Sequence, residues 1–121
     1  MSAWNEDNLD RVARAEELRI AGRLADGTLR KAVIIWHVRV GDSLYVRSVN
    51  GPDAAWFTGT QVTGEGHIDS GGVSLDVTFV RDATKDAEID RAYTAKYGTG
   101  KDVVAIVTAL ATSTTLRVDP R

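Results

Sequence analysis

The sequence contains no cysteine, which removes disulfide frameworks, thiolate nucleophiles and cysteine-bound zinc together. It has only two histidines, His37 and His67. They lie outside any HxxxH or HExxH spacing, so no metal site is expected. Long apolar runs are also missing. None exceeds the five residues of 32–36, far short of the ~20 residues that cross a bilayer, and no membrane partner is expected. Nor does one sign of charge dominate. Fifteen Lys and Arg against seventeen Asp and Glu make no basic field, which argues against nucleic acid as a partner. The opening MSAWNEDNLD lacks a basic, apolar signal peptide, and a cytoplasmic location is expected.

What remains is an ordinary globular composition. The chain has 121 residues, 43% of them hydrophobic, enough for one domain over 1–121 that buries roughly two-thirds of its unfolded surface. It shows no internal repeat and no low-complexity segment.

The pattern centres on residues 31–57, KAVIIWHVRVGDSLYVRSVNGPDAAWF. Two apolar-rich runs flank Gly41-Asp42-Ser43, and a polar loop at 48–53 leads into Trp56 and Phe57. Strand, turn, strand, loop and helix start is the simplest reading. Ala32, Ile34, Trp36, Val38 and Val40 share one face of the first strand by period-two alternation. A three-residue turn pairs Val40 with Leu44 and Val38 with Val46, so that both apolar faces coincide; a one-residue slip would flip a whole face. In that register His37, Arg39, Tyr45 and Arg47 occupy the opposite face, with Val33 and Ile35 near its start. Such a face suits a lining for an anionic, partly aromatic ligand, a polar subunit contact, or a solvated surface.

In chain order, residues 5–14 read as an amphipathic helix with Leu9, Val12 and Ala13 at i, i+3, i+4. Asn5 or Asp7 caps it, and Trp4 packs back as a staple. A strand over 18–23 follows, then a tight turn at Asp26-Gly27, then the central hairpin. A short helix spans about 54–59. Strands at 64–69 and 73–80 flank Ser70-Gly71-Gly72, and a helix covers 86–97, ending at Gly98. From Asp102 the spacing of Val103, Ile106, Val107 and Leu110 fits a helix, although its β-branched content also suits a strand. A strand over 112–118 closes the chain, ended by Pro120. The order predicts a mainly β, α+β fold: a six-stranded antiparallel split or closed barrel with two to four peripheral helices.

Catalytic motifs fail one by one. Gly98-Thr99-Gly100-Lys101 lacks the earlier glycine and the following Ser or Thr of a phosphate loop. Gly64-Glu65-Gly66 has Asp69 where a dinucleotide fingerprint has its third glycine. Ser48, His37 and an aspartate have no nucleophile-elbow context. Asp86, Glu88 and Asp90 read as a solvated helix start. Trp36 reads as core; Trp56 reads as either core or ligand platform. No catalytic residue is assigned.

Leu44 to Ser48, Trp36-His37-Val38, Ala55-Trp56, Asp90 to Tyr97 and Thr115 to Pro120 together resemble an uncharacterised bacterial family of about this length, a domain of unknown function. More distantly, Gly22 to Gly27, Ser48-Val49-Asn50-Gly51 and Ala55-Trp56 are similar to the deazaflavin-dependent nitroreductases and the wider flavin-binding split-barrel superfamily. That resemblance implies a six-stranded split barrel, a homodimer, and FMN or a deazaflavin coenzyme in a groove at the subunit interface. It implies an oxidoreductase passing hydride to a small organic acceptor. The candidate cofactor-binding residues are Lys31, His37, Arg47, Ser48, Asn50, Gly51 and Trp56. Arg47, Lys31 and the loop at 48–51 supply cations and N–H donors for a phosphate, while Val33, Ile35 and Trp56 supply an apolar wall. Arg47→Ala is then expected to weaken cofactor binding and leave stability nearly intact. The chain departs from those relatives at Leu24, where they have lysine, and at Asn50, where they have glycine. Both positions border their phosphate site, which keeps open a non-enzymatic dimeric binding module that has lost its cofactor.

Overall fold

A single extended run serves both edges of the sheet. In the computed structural model, which describes residues 4–121, β2 (Val33–Ile35) pairs with β1 (Leu18–Gly22), whereas β3 (His37–Val40) pairs with β4 (Ser43–Val46). Between them Trp36 breaks the ladder. With β5 (Glu65–Ser70), β6 (Val73–Arg81) and β7 (Leu116–Pro120), the order is β2-β1-β5-β6-β7-β4-β3, antiparallel at every pairing. Because β2 runs straight on into β3, the chain itself carries one edge round to the other and nearly closes a barrel. The sheet has seven strands where six were expected, since residues 31–40 read as one strand and bend into two.

Local chemistry accounts for the helices. In α1 (Glu6–Arg14) the Asn5 side chain accepts from the Asn8 N–H at 3.1 Å, and acidic residues open the helix while arginines close it, as the helix dipole favours. Leu9 and Val12 are its buried stripe. The expected short helix at 54–59 runs on as α2 (Ala55–Thr63), and Gly64 at φ +71 ends it. Gly59 is therefore no stop; the helix lies on β1 because Gly22 has no Cβ, which would stand 2.6 Å from the Gly59 carbonyl oxygen. After α3 (Asp86–Tyr97) the ambiguous stretch is helical, as α4 (Lys101–Ile106) and α5 (Ala109–Thr112). The last strand accordingly starts at Leu116 rather than 112, and it includes Pro120.

The hairpin register differs from the expectation. Gly41 and Asp42 form a two-residue turn, with Gly41 at φ +59, and Val40 pairs with Ser43, Arg39 with Leu44, Val38 with Tyr45 and His37 with Val46. A positive φ at the first turn position matches the right-handed twist of the strands, which a three-residue loop without a left-handed last residue does not. Both faces of this hairpin are buried, so aligning a single apolar face gave the wrong pairing. Leu44 and Val46 face the barrel core with Leu18, Ile20, Ile68, Val77, Leu116 and Val118. Val38 and Tyr45 face a second layer against Ile89, Tyr93, Val103 and Ile106 of α3 and α4. The supposed polar face is thereby split: His37 and Arg39 turn toward α1, while Arg47 lies against the helical layer.

No helix among the described residues is long and apolar enough to cross a membrane.

Candidate functional site

The bend at Trp36, the chain leaving β4 and the start of α2 leave a gap that α4 covers only in part. It is a cavity of about 400 Å³. Val33, Ile34, Ile35 and Trp36 form one wall, Arg47 to Asn50 another, and Trp56, Ala105 and Ile106 close the rest, with Glu17 and Asp102 also lining it. One face of the Trp36 ring stacks on Tyr97 at 4.1 Å and 6° between planes, which holds the indole in place.

Of the seven expected site residues, four line this cavity: Arg47, Ser48, Asn50 and Trp56. Gly51 adjoins it at φ +81, packed so tightly that a Cβ there would meet Leu110 Cγ at 2.7 Å. Lys31 is exposed and outside the lining. His37 is fully buried toward α1, with Nε2 2.5 Å from the Val12 carbonyl oxygen, so Nε2 carries the proton and donates. Burial, and next the nearby Lys96 ammonium, hold its pKa down at about 4. His37 is thus a neutral structural imidazole here, placed on the other side of its strand from the cavity.

Arg47 does not hold out a free cation. Its side chain is 0% exposed, and its five N–H groups meet five acceptors. Nε donates to Thr115 Oγ1 at 2.9 Å, Nη1 to Asp90 Oδ1 at 2.5 Å and the Ile106 carbonyl at 3.4 Å, and Nη2 to the Asp86 carbonyl at 3.3 Å and Oδ1 at 3.5 Å. The guanidinium ties β4 to α3, α4 and the approach to β7. The expectation that its loss leaves stability intact is corrected on that ground. Asp86 and Asp90, which read as solvated, are its partners. Their i, i+4 spacing was the available signal, since it puts two carboxylates on one helix face.

Ser48 is the unusual group. The residue is 1% exposed and its backbone N–H donates to Thr114 Oγ1 at 2.8 Å, yet its own Oγ is buried without a hydrogen-bond partner. Such orphans cost about 1–3 kcal/mol, and a water, an ion or a ligand atom can supply the missing partner. Glu17, Asp102, Ala105 and Ile106 escaped sequence reasoning because only the fold brings them beside Ser48.

Elsewhere, Asp76, His67 and Ser74 form a relay on β5 and β6, with 3.0 Å from Asp76 Oδ1 to Nδ1 and 2.8 Å from Nε2 to Ser74 Oγ. These residues are not part of the cavity lining described above. Among the described residues no cluster of three His, Cys, Asp or Glu can hold a metal ion.

Solved structures share this barrel at low sequence identity. HutZ, a heme storage protein from Vibrio cholerae, superposes with a TM-score of 0.67 at 14% identity, covering 100% of this chain and 92% of its own. A putative 5-nitroimidazole antibiotic resistance protein from Bacteroides thetaiotaomicron gives 0.58 at 13% identity, over 99% and 81%. An F420 reductase gives 0.51 at 13%, over 93% and 90%. At such identities the likeness speaks for the fold. No curated protein sequence matches the chain. The pattern of one bacterial family does match, over residues 8–118, and the chain belongs to that family, the uncharacterized proteins conserved in bacteria (DUF2255).

Proposed function

We propose that this is a cofactor-binding barrel whose cavity takes the flat ring of a flavin or deazaflavin, and that it acts as an oxidoreductase delivering hydride to a small organic acceptor. The observation that carries this reading is a cavity walled by two tryptophans, with an unpartnered hydroxyl, Ser48 Oγ, buried on one of its lining residues. A volume of about 400 Å³ lies within the roughly 300–1,000 Å³ of small-molecule sites. Val33, Ile35 and Trp56 supply the apolar wall that a ring plane needs. Ser48 Oγ and the exposed Asn50 amide supply hydrogen bonds to its polar edge.

Two fold neighbours are named for their ligands, one for heme storage and one as an F420 reductase. The lining favours the flavin class. Among the described residues it contains no histidine, cysteine, methionine or tyrosine, the side chains that serve as axial ligands to heme iron. A bound flavin or deazaflavin ring supplies two-electron hydride chemistry by itself, and the protein binds, orients and shields it. Homodimer formation goes with this reading: Ile34 and Val49, 47% and 43% exposed, line the cavity and offer a second copy an apolar rim to cover.

A second reading, a non-enzymatic dimeric binding module that has lost its cofactor, is favoured by Arg47, whose donors are all taken within the chain. One experiment separates the two. Purified protein is titrated with riboflavin, FMN and a deazaflavin while ring and tryptophan fluorescence are followed, and the bound, reduced ring is then exposed to a nitroaromatic acceptor. Saturable binding with reoxidation faster than that of the free ring is expected. Binding without acceleration ends the oxidoreductase reading; no saturable binding of any ring ends the flavin-class reading and leaves the module that has lost its cofactor.

A further inference from the structure

We infer that the cavity selects an uncharged ring, the dephosphorylated form of a flavin-class ligand, and discriminates against a phosphorylated one. The inference rests on the reading above and adds the charge of the ligand. It follows from the electrostatics of the lining taken group by group.

Among the described residues only one cation lines the cavity, and it is Arg47. A phosphate needs N–H groups that are free to turn toward it. Here all five guanidinium hydrogens meet acceptors inside the chain, two of them carboxylate oxygens of Asp86 and Asp90. Each ion pair offsets the positive field that a distant phosphate would feel. Lys31, the second cation expected from the sequence, is outside the lining.

The remaining charges point the other way. Glu17 and Asp102 line the cavity and are exposed, so they stand on its solvent side. Neither forms a salt bridge among the described residues. A phosphate carried out of the cavity on the tail of a flavin would approach two carboxylates, and like charges there repel across partly solvated space. Among the described lining residues, the buried group without a partner, Ser48 Oγ, is neutral. A hydroxyl donates to a carbonyl or ring nitrogen and accepts from a ring N–H, the groups on the edge of an uncharged heterocycle.

The test compares riboflavin, lumichrome and FMN on the same protein at low ionic strength, by fluorescence quenching and by calorimetry. Riboflavin and lumichrome are expected to bind about tenfold more tightly than FMN. That gap should narrow at high salt, and it should close in a Glu17→Gln, Asp102→Asn double variant. Both positions are exposed, so the variant keeps its fold, which circular dichroism verifies. FMN binding as tightly as riboflavin, or more tightly, overturns the inference while leaving the flavin-class reading in place. A gap unaltered in the double variant also overturns it, since the carboxylates are then not its source. Saturable binding of none of the three removes the functional reading itself.

Discussion

Asp90 Oδ1 lies 2.5 Å from Arg47 Nη1, a carboxylate 42% exposed gripping a guanidinium that is 0% exposed. The pair spans from the end of β4 to α3, and with Asp86, Thr115 and the Ile106 carbonyl it fixes how the helical layer sits on the barrel. Removing the guanidinium leaves Asp86 and Asp90 without their cation and Thr115 Oγ1 without its donor. Arg47→Ala is therefore expected to lower stability by about 3–5 kcal/mol, read from urea unfolding. Arg47→Lys should recover only part, because a single ammonium cannot reach all these acceptors at once. A loss under about 1 kcal/mol, accompanied by lost ring binding, would restore this residue as a ligand group instead.

His37 gives the fold a pH dependence of definite sign. In the folded chain its pKa is held at about 4 by burial first and by Lys96 second, against 6.5 for the free side chain. Above pH 6.5 the imidazole is neutral in both states and contributes no pH dependence. As pH falls from 6.5 toward 4, the unfolded chain takes up a proton that the folded chain refuses. Stability must then drop, by roughly 3 kcal/mol over that window, and flatten below it. Urea midpoints at pH 7 and pH 5 should differ accordingly. His37→Gln, which keeps a donor for the Val12 carbonyl, should remove most of the difference.

How much of this was legible depends on what kind of information each feature needs. Residues 86–97 form a helix because Ile89 and Tyr93 recur on one face and Gly98 follows, a purely local signal. The β5–β6 hairpin was legible for the same reason, since β6 alternates cleanly and Gly71 and Gly72 both take positive φ. The β3–β4 register was not, because burial on both faces erases the alternation on which register arguments rest. The cavity was half legible. Residues 47–56 are contiguous and were singled out, whereas Glu17 and Asp102 enter only through the barrel's closure at Trp36 and the seating of α4. The role of Arg47 turned on a long-range partner: an arginine beside a groove and an arginine clamped by a distant helix look alike in sequence.

The crossing of β1 and α2 sets the position of Trp56, and it depends on Gly22 lacking a Cβ where the strand meets the helix backbone at Gly59. A Cβ on Gly22 would stand 2.6 Å from the Gly59 carbonyl oxygen and 2.7 Å from its carbon. These are backbone atoms in mid-helix and cannot swing aside, so α2 itself has to move. Gly22→Ala is expected to lower stability by about 3 kcal/mol and to weaken ring binding through displacement of Trp56, seen as a shift in tryptophan emission. Gly27→Ala makes the control: it meets nothing within 4 Å but lies at φ +90, so it should cost stability without disturbing the cavity.

Ser48 should separate folding from binding by sign. Its Oγ is buried and has no partner, so the folded chain has given up the water this hydroxyl held in the unfolded state. Ser48→Ala removes that unmet demand and leaves the N–H bond to Thr114 Oγ1 at 2.8 Å intact. The free protein should become more stable by about 1 kcal/mol, a rise of a few degrees in Tm. Ring binding should weaken by about tenfold, because the ligand's polar edge then loses its buried partner. A purely structural hydroxyl moves the first quantity the opposite way, and a bystander moves neither. Opposed shifts in melting temperature and in ring affinity are what a preformed ligand contact produces.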